Sequence, residues 1–207
     1  MKSRPAVVVL AAGRGSRFRG LHHKLMQGLG ASTVLATTLS NALATQLPVL
    51  VVTTEPLAEL VSHHVATRDV VVLPSVGSPE SQALGMGYSI AAGVAARSDA
   101  SGWLILPADM PMVRTSTLLT VAREIDSHAI AYAQHRGLRG HPVGFAAELY
   151  SELVMLTGDD GARRLVARYP AHGVEIDDPG VLLDVDTEDD LARVRVAQQE
   201  TQFREAR

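Results

Sequence analysis

Five short runs of aliphatic and β-branched residues, each set apart from the next by a stretch of helical period, constrain this chain more than any other feature. The runs are Ala6–Ala11, Val49–Thr53, Val70–Leu73, Trp103–Pro107 and Ile130–Ala133. They read as strands covered on both faces, the habit of parallel sheets. Between them, Thr33–Ala44 puts Val34, Leu35, Thr38, Leu39 and Ala42 on one helical face, and Pro56–Ala66 carries Leu57, Leu60, Val61 and Val65. Tyr88–Ala96 and Ser116–Ile125 repeat the helical spacing. This alternation predicts an α/β fold: a mostly parallel sheet with helices on both faces and right-handed crossovers.

After Gln134 the order loosens. "HRGLRGHPVGF" reads as a loop followed by a strand, and "LTGDDGARRLVARY" as a helix with Asp159 or Asp160 near its N-cap. "GVLLDVDTEDDLARVRVAQQ" predicts a strand over Val181–Val185, a cap at Asp186 or Thr187, and a helix whose start, Thr187 to Asp190, fits a capping box. The polar tail from Gln198 is expected to fray. No repeat or linker divides the chain, so a single domain over residues 1–207 is expected.

The first run ends in "LAAGRGSRFRGLHHK", Leu10–Lys24, a stretch with three glycines, three arginines, a lysine and no acid. In open α/β sheets ligands bind beyond the carboxyl ends of the strands. Glycine lets successive backbone N–H groups approach a ligand and form an anion nest. Arg14, Arg17, Arg19 and Lys24 add full charges. The stretch therefore reads as a phosphate site, and two common kinds fail. The dinucleotide fingerprint needs a glycine where Phe18 stands, and the first acid of the chain is Glu55. The P-loop spacing is present between Gly15 and Gly20, but Leu21 follows in place of lysine.

Composition narrows the function. With 4% aromatic residues and a net charge of −3, the chain lacks the stacking surface and basic face of a nucleic-acid binder. It has no cysteine, which removes disulfides, thiolate metal sites and a thiol nucleophile. No apolar run is long enough to span a bilayer, and the first run ends in a Gly/Arg loop instead of a cleavage site. A cytoplasmic location is the expectation.

The acids gather at the far end, as Asp177, Asp178, Asp184, Asp186, Glu188, Asp189 and Asp190. Asp109 follows the run Trp103–Pro107 at a strand's carboxyl end, where a hard Mg²⁺ ion binds through one or two carboxylates plus substrate phosphates. Asp184 and Asp186 flank Val185, so on a strand both face one way and either can meet Asp109. Asp186 is the preferred second ligand, although it also suits a helix N-cap. His141 is neutral enough to be a ligand or a substrate contact. His22-His23 and His63-His64 are sequence neighbours whose rings diverge, so neither pair makes a chelate.

The pattern L-A-A-G-x-G-x-R followed by a lysine resembles the MobA-like nucleotidyltransferases, and within them the molybdenum cofactor cytidylyltransferases. "GMGYSIAAG" (Gly85–Gly93), "LPADMP" (Leu106–Pro111), "RGHPVGF" (Arg139–Phe145), "GDDGARRL" and "LLDVDTEDDL" are similar to further motifs of that family, in its order. Six residues separate Arg17 from Lys24, more than in the family's R-M-G-x-x-K pattern, and Ala108 stands where the family often has glycine. The resemblance implies a three-layer α/β/α Rossmann-like nucleotidyltransferase fold with a mostly parallel mixed sheet. It implies transfer of CMP from CTP to a phosphorylated acceptor, molybdopterin or the molybdenum cofactor, with Mg²⁺-dependent release of pyrophosphate. Under it Leu10, Ala11, Ala12, Gly13 and Gly15 bind nucleotide. Gly13, Gly15 and Arg17 cradle the β and γ phosphates, Lys24 reaches the α-phosphate, and Asp109 and Asp186 hold Mg²⁺. Ser89 and His141 line the substrate site, and Arg139, Arg163 and Arg164 are candidate contacts to the acceptor. Ala12 points to cytosine, because its methyl crowds a purine. A molybdoenzyme or maturation chaperone is a further expected partner. Guanylyl transfer, transfer to a sugar or polyol phosphate, a nicotinamide-dependent oxidoreductase and a non-catalytic nucleotide binder are the competing readings.

Overall fold

The computed structural model describes residues 3–13, 15, 17–19, 22–74 and 85–205. Its frame is a seven-stranded sheet of β1 (Ala6–Ala11), β4 (Val49–Thr54), β5 (Val70–Leu73), β6 (Gly102–Pro107), β7 (Ile130–His135), β8 (Leu138–Ala146) and β9 (Ala171–Glu175). The strand order is β5-β4-β1-β6-β8-β7-β9. A separate two-stranded hairpin pairs β2 (Gly28–Leu29) with β3 (Ser32–Thr33). Only β8 runs against its neighbours; every other pairing in the large sheet is parallel. This is the three-layer, mostly parallel fold that the sequence predicts.

The period of two in β1 builds both layers. Val7, Val9 and Ala11 face a core formed with α1 (Val34–Leu43), α2 (Glu55–Ser62), α4 (Thr115–Glu124) and α7 (Glu188–Glu205), through residues such as Leu35, Leu39, Val61, Leu118 and Leu191. Ala6 and Val8 face the opposite core with Ile90 and Val94 of α3 (Met86–Ala95), Leu153 of α5 (Tyr150–Leu153) and Leu165 of α6 (Arg163–Arg168). All five β1 side chains from Ala6 to Val9 and at Ala11 are essentially out of solvent. Full burial of a Val or Leu side chain stabilises by about 1.5–3 kcal/mol, so the sheet is held mainly by these two layers. Among the described residues no helix is long and apolar enough to cross a membrane.

The second half departs from the sequence reading in three places. "HRGLRGHPVGF" is not a loop before a strand but a hairpin: β7 and β8 meet at Arg136-Gly137, both at positive φ, which is the two-residue turn that suits strand twist. Val181–Val185 is not a ladder strand; Pro179–Leu182 forms a 3-10 turn, because Asp178 caps it by accepting from Gly180 N–H. α6 starts at Arg163 with neither Asp159 nor Asp160 as its cap, and Asp160 pairs instead with Arg164. α7 runs from Glu188 to Glu205. Leu191 and Val194 anchor that helix in the core, and Arg195 donates to the carbonyl of Gly28. Its start is the expected capping box, with Thr187 Oγ1 accepting from Asp190 N–H and the Asp190 carboxylate accepting from Thr187 N–H.

Asp178 is a buried carboxylate with a structural task. It accepts from Thr117 Oγ1 (2.6 Å), Arg114 N–H (2.9 Å) and Gly180 N–H (3.0 Å), tying α4 to the chain that leads to α7. Replacing Asp178 by alanine strands these donors. The expected loss is about 3 kcal/mol of unfolding free energy, read as a lower denaturation midpoint with an unchanged m-value; a loss under about 0.5 kcal/mol would refute the role.

Candidate active site

The carboxyl ends of β1 and β6 open onto a cleft of about 920 Å³. Leu10, Ala12, Gly13, Gly15, Arg17, Lys24, Ser89, Asp109, His141, Asp184 and Asp186 line it together. Ala11 does not, because the strand's period turns its methyl into the α1-side core. Of the candidate arginines, Arg139 and Arg163 line the cleft, whereas Arg164 belongs to its surface pair with Asp160. Arg14 lies outside the described residues.

At the centre an ammonium joins two carboxylates that are far apart in sequence. Lys24 Nζ donates to Asp109 Oδ2 at 2.5 Å and to Asp186 Oδ1 at 2.6 Å. The Lys24 side chain is only 9% exposed. Burial works against its charge, but the carboxylates of Asp109 and Asp186 outweigh burial and hold the ammonium above its ordinary value. Lys24 is therefore a permanent cation and no proton acceptor at neutral pH. Arg17 Nη1 reaches the second oxygen of Asp186 at 2.7 Å, from a side chain that is 77% exposed. Exposed ion pairs are worth under about 1 kcal/mol, so Arg17 can exchange this carboxylate for a phosphate at little cost.

Each carboxylate is fixed by backbone contacts. Ala108 N–H donates to the carbonyl of Leu10, and the carbonyl of Asp109 accepts from Val185 N–H at 2.9 Å. Thr38, counted on the apolar face of α1, uses its hydroxyl to bond the carbonyl of Ala108 at 2.9 Å. Asn41, one turn on, donates to the carbonyls of Pro111 and Val113. Val185 is buried while Asp184 and Asp186 both face the cleft, so their expected common direction holds without a strand. Thr187 takes the helix cap and leaves Asp186 free for the site. Burial, then the charge of Asp109, raises the Asp184 carboxyl above its usual range. Among the described residues Asp109 Oδ1 is a buried oxygen without a hydrogen-bond partner. A hard cation bound by Asp109 and Asp186 would satisfy it, so the donor set fits Mg²⁺ or Mn²⁺.

A second acidic-histidine cluster, Glu124, His128 and His172, lies at the other edge of the sheet, at the end of α4 and the start of β9. Its imidazoles stack face to face, 4.1 Å apart and 8° from parallel, so an ion shared by both would lie well out of the plane of at least one ring, a poor geometry for an imidazole ligand.

The far wall of the cleft comes from β8 and α3. The pairing of β7 with β8 shifts register between Tyr132 and Gln134, and the extra residues on β8 bring Gly140 and His141 to the cleft. The motifs around Gly85 and Gly158 pack on one another: Gly87 N–H donates to the carbonyl of Gly158, and a side chain at Gly85 would meet Gly158 backbone at 2.2 Å. Ser89 bonds back to the Gly85 carbonyl at 3.4 Å while lining the cleft. Burial, then the charge of Arg139, pushes His141 down to about 4 from an ordinary 6.5, so it is a neutral ring near pH 7. A native pKa below the unfolded value gives stability that is present above pH 6.5 and lost as pH falls toward 4. Between pH 7 and 4.5 the unfolding free energy of the wild type should therefore fall relative to that of His141→Gln. Parallel pH curves would show that the ring protonates freely.

Residues 7–174 match the MobA-like NTP transferase domain. The chain is similar to Rv0371c of Mycobacterium tuberculosis, at 29% identity and TM-score 0.78, over 94% of this chain and 98% of that one. A manganese complex of the same mycobacterial protein gives 28% and 0.75, over 93% and 98%. A nucleotidyl transferase from Methanothermobacter gives 25% and 0.78, over 96% and 99%. The bifunctional protein GlmU of Hydrogenovibrio crunogenus is 30% identical over 129 residues, 60% of this chain. The chain spans about a quarter (27%) of that relative's length. With the loop, the Lys24-centred carboxylates and the sheet order in place, the chain belongs to the MobA-like NTP transferase family.

Proposed function

We propose that the protein transfers CMP from CTP to a phosphorylated acceptor, with molybdopterin or the molybdenum cofactor as that acceptor. The observation that carries this reading is the Arg17–Asp186–Lys24–Asp109 chain of contacts in a cleft whose opposite wall bears Arg139 and Arg163. In the reaction an acceptor phosphate oxygen forms a bond to the α-phosphorus of CTP. The bond from that phosphorus to the bridging oxygen of the β-phosphate breaks, and pyrophosphate leaves. Little covalent chemistry falls to the protein, and positioning and charge do the work. Gly13, Gly15 and Arg17 hold the β and γ phosphates. Lys24, held protonated, sets its charge against the α-phosphate. Asp109 and Asp186 would hold Mg²⁺, which supplies further charge neutralisation when bound. The manganese complex of the mycobacterial relative supports a divalent ion in this family.

Ala12 lines the nucleotide side of the cleft and is half-buried. Its methyl favours the smaller base. Arg139 sits over the ring of Tyr132 at 4.7 Å, which keeps a guanidinium at the cleft wall for an anionic acceptor. A molybdoenzyme or chaperone that receives the product is part of the same proposal.

The test is a pyrophosphate-release assay crossing four nucleoside triphosphates with molybdenum cofactor and simple phosphate acceptors in Mg²⁺. CTP with the cofactor is the expected active pair; activity only with a sugar phosphate would reassign the acceptor. Lys24→Ala should lower turnover about 10²–10³-fold in a protein that still folds at the assay temperature, and unchanged turnover would remove its role. Ala12→Gly should raise kcat/KM for GTP relative to CTP by about tenfold. An unmoved ratio would separate Ala12 from base choice.

A further inference from the structure

The six residues between Arg17 and Lys24 end in His23, a residue the reaction scheme does not use. Both of its ring nitrogens are engaged. Nδ1 accepts from Leu25 N–H at 3.2 Å and so caps the one-turn 3-10 helix Lys24–Met26. A nitrogen that accepts a bond from an amide carries no proton of its own. In the neutral ring the proton is then on Nε2, which faces the carbonyl of Gly13 at 3.2 Å and donates to it. The same ring edge lies under Gly15, whose φ is +58°; a Cβ there would stand 3.0 Å from Nε2. Gly15 also closes its own turn, its carbonyl accepting from Phe18 N–H at 3.0 Å.

We infer that His23 is a positioning residue that clamps the glycine turn at Gly13–Gly15 to the short helix carrying Lys24. The inference rests on the transferase reading for its kinetic consequences, but its geometry stands in the unliganded protein. One head of the ring holds the backbone that receives the β and γ phosphates. The other holds the first turn from which Lys24 reaches Asp109 and Asp186. The two phosphate-facing elements thus share one rigid plane as a spacer. Burial lowers the basicity of the ring; the Gly13 bond opposes this and the Lys24 charge adds to it, and the outcome is a value below the ordinary 6.5. That keeps the ring in the neutral state that the two bonds require. His22 takes no part in the clamp; its carbonyl accepts from the Gln27 side chain.

The tautomer is measurable without substrate. A long-range ¹H–¹⁵N spectrum of the full-length apo protein at pH 7.5 should show His23 as the neutral Nε2–H form; an Nδ1–H or cationic ring overturns the inference. Two variants separate the heads. His23→Asn keeps an oxygen near the Nδ1 position and loses the bond to Gly13. His23→Gln keeps a donor near the Nε2 position and loses the cap on Leu25. With Mg²⁺ and CTP, the asparagine variant should raise KM for CTP about fivefold to tenfold at near-normal kcat, and the glutamine variant should lower kcat by a similar factor with a smaller change in KM. Equal changes in both parameters for both variants, or no change in either, overturn the inference. If the wild type releases no pyrophosphate with any triphosphate and acceptor, the functional reading fails, and the tautomer still decides the clamp.

Discussion

The site depends on one electrostatic arrangement, a buried ammonium between two carboxylates. Asp109 follows β6 and Asp186 precedes α7, and Lys24 bridges the two. Two like charges repel by about 4 kcal/mol at about 4 Å and an effective dielectric near 20, and the ammonium offsets this cost. The surrounding structure sets this geometry. The amide of Val185 is bonded to the carbonyl of Asp109, so the two acidic segments are joined by backbone as well as by charge. Thr38 and Asn41 hold the chain on either side of Asp109 from the flank of α1. The cation is thus met by groups whose positions are set before any ligand arrives, which is the condition for electrostatic preorganisation.

Much of this was legible in the sequence because it depends on local patterns. Ala6–Ala11 and Val70–Leu73 have the same limits in sequence and structure: the first is buried on both faces and so leaves an unbroken apolar run, and the second is an edge strand that is β-branched although half-exposed. Asp109 and Lys24 could be singled out because each lies just beyond such a run or in a basic glycine loop without competing acids. The resemblance to a family extended that reading to motifs no spacing argument would join, such as Gly85–Gly93 and the glycines near Asp159.

What stayed hidden depends on partners distant in the chain. The acids of the far end look alike in sequence, yet they do different work. Asp178 is a buried tether, Asp190 closes the capping box by accepting from Thr187 N–H, and Asp184 and Asp186 face the cleft. Thr38 gave a faint signal, a hydroxyl in the middle of an apolar helical face, but its acceptor is 70 residues away. β9 gave none, because Ala171–Glu175 is short and half-exposed at a sheet edge. The hairpin at Arg136-Gly137 was obscured by glycines and a proline that usually mark loops, and the interruption of register in β8 is what lets a central strand contain them.

The reversed direction of β8 has a consequence for how such a protein can diversify. Parallel strands present their ends at the cleft, whereas β8 presents its beginning, Arg139 to His141, just after a two-residue turn. The wall that carries Gly13 and Arg17 and the wall that carries Arg139 and His141 therefore belong to separate supersecondary units, with β6 and Asp109 as the seam. Mutation can reshape the hairpin wall without disturbing the loop wall, so drift in one molecular preference need not drag the other with it.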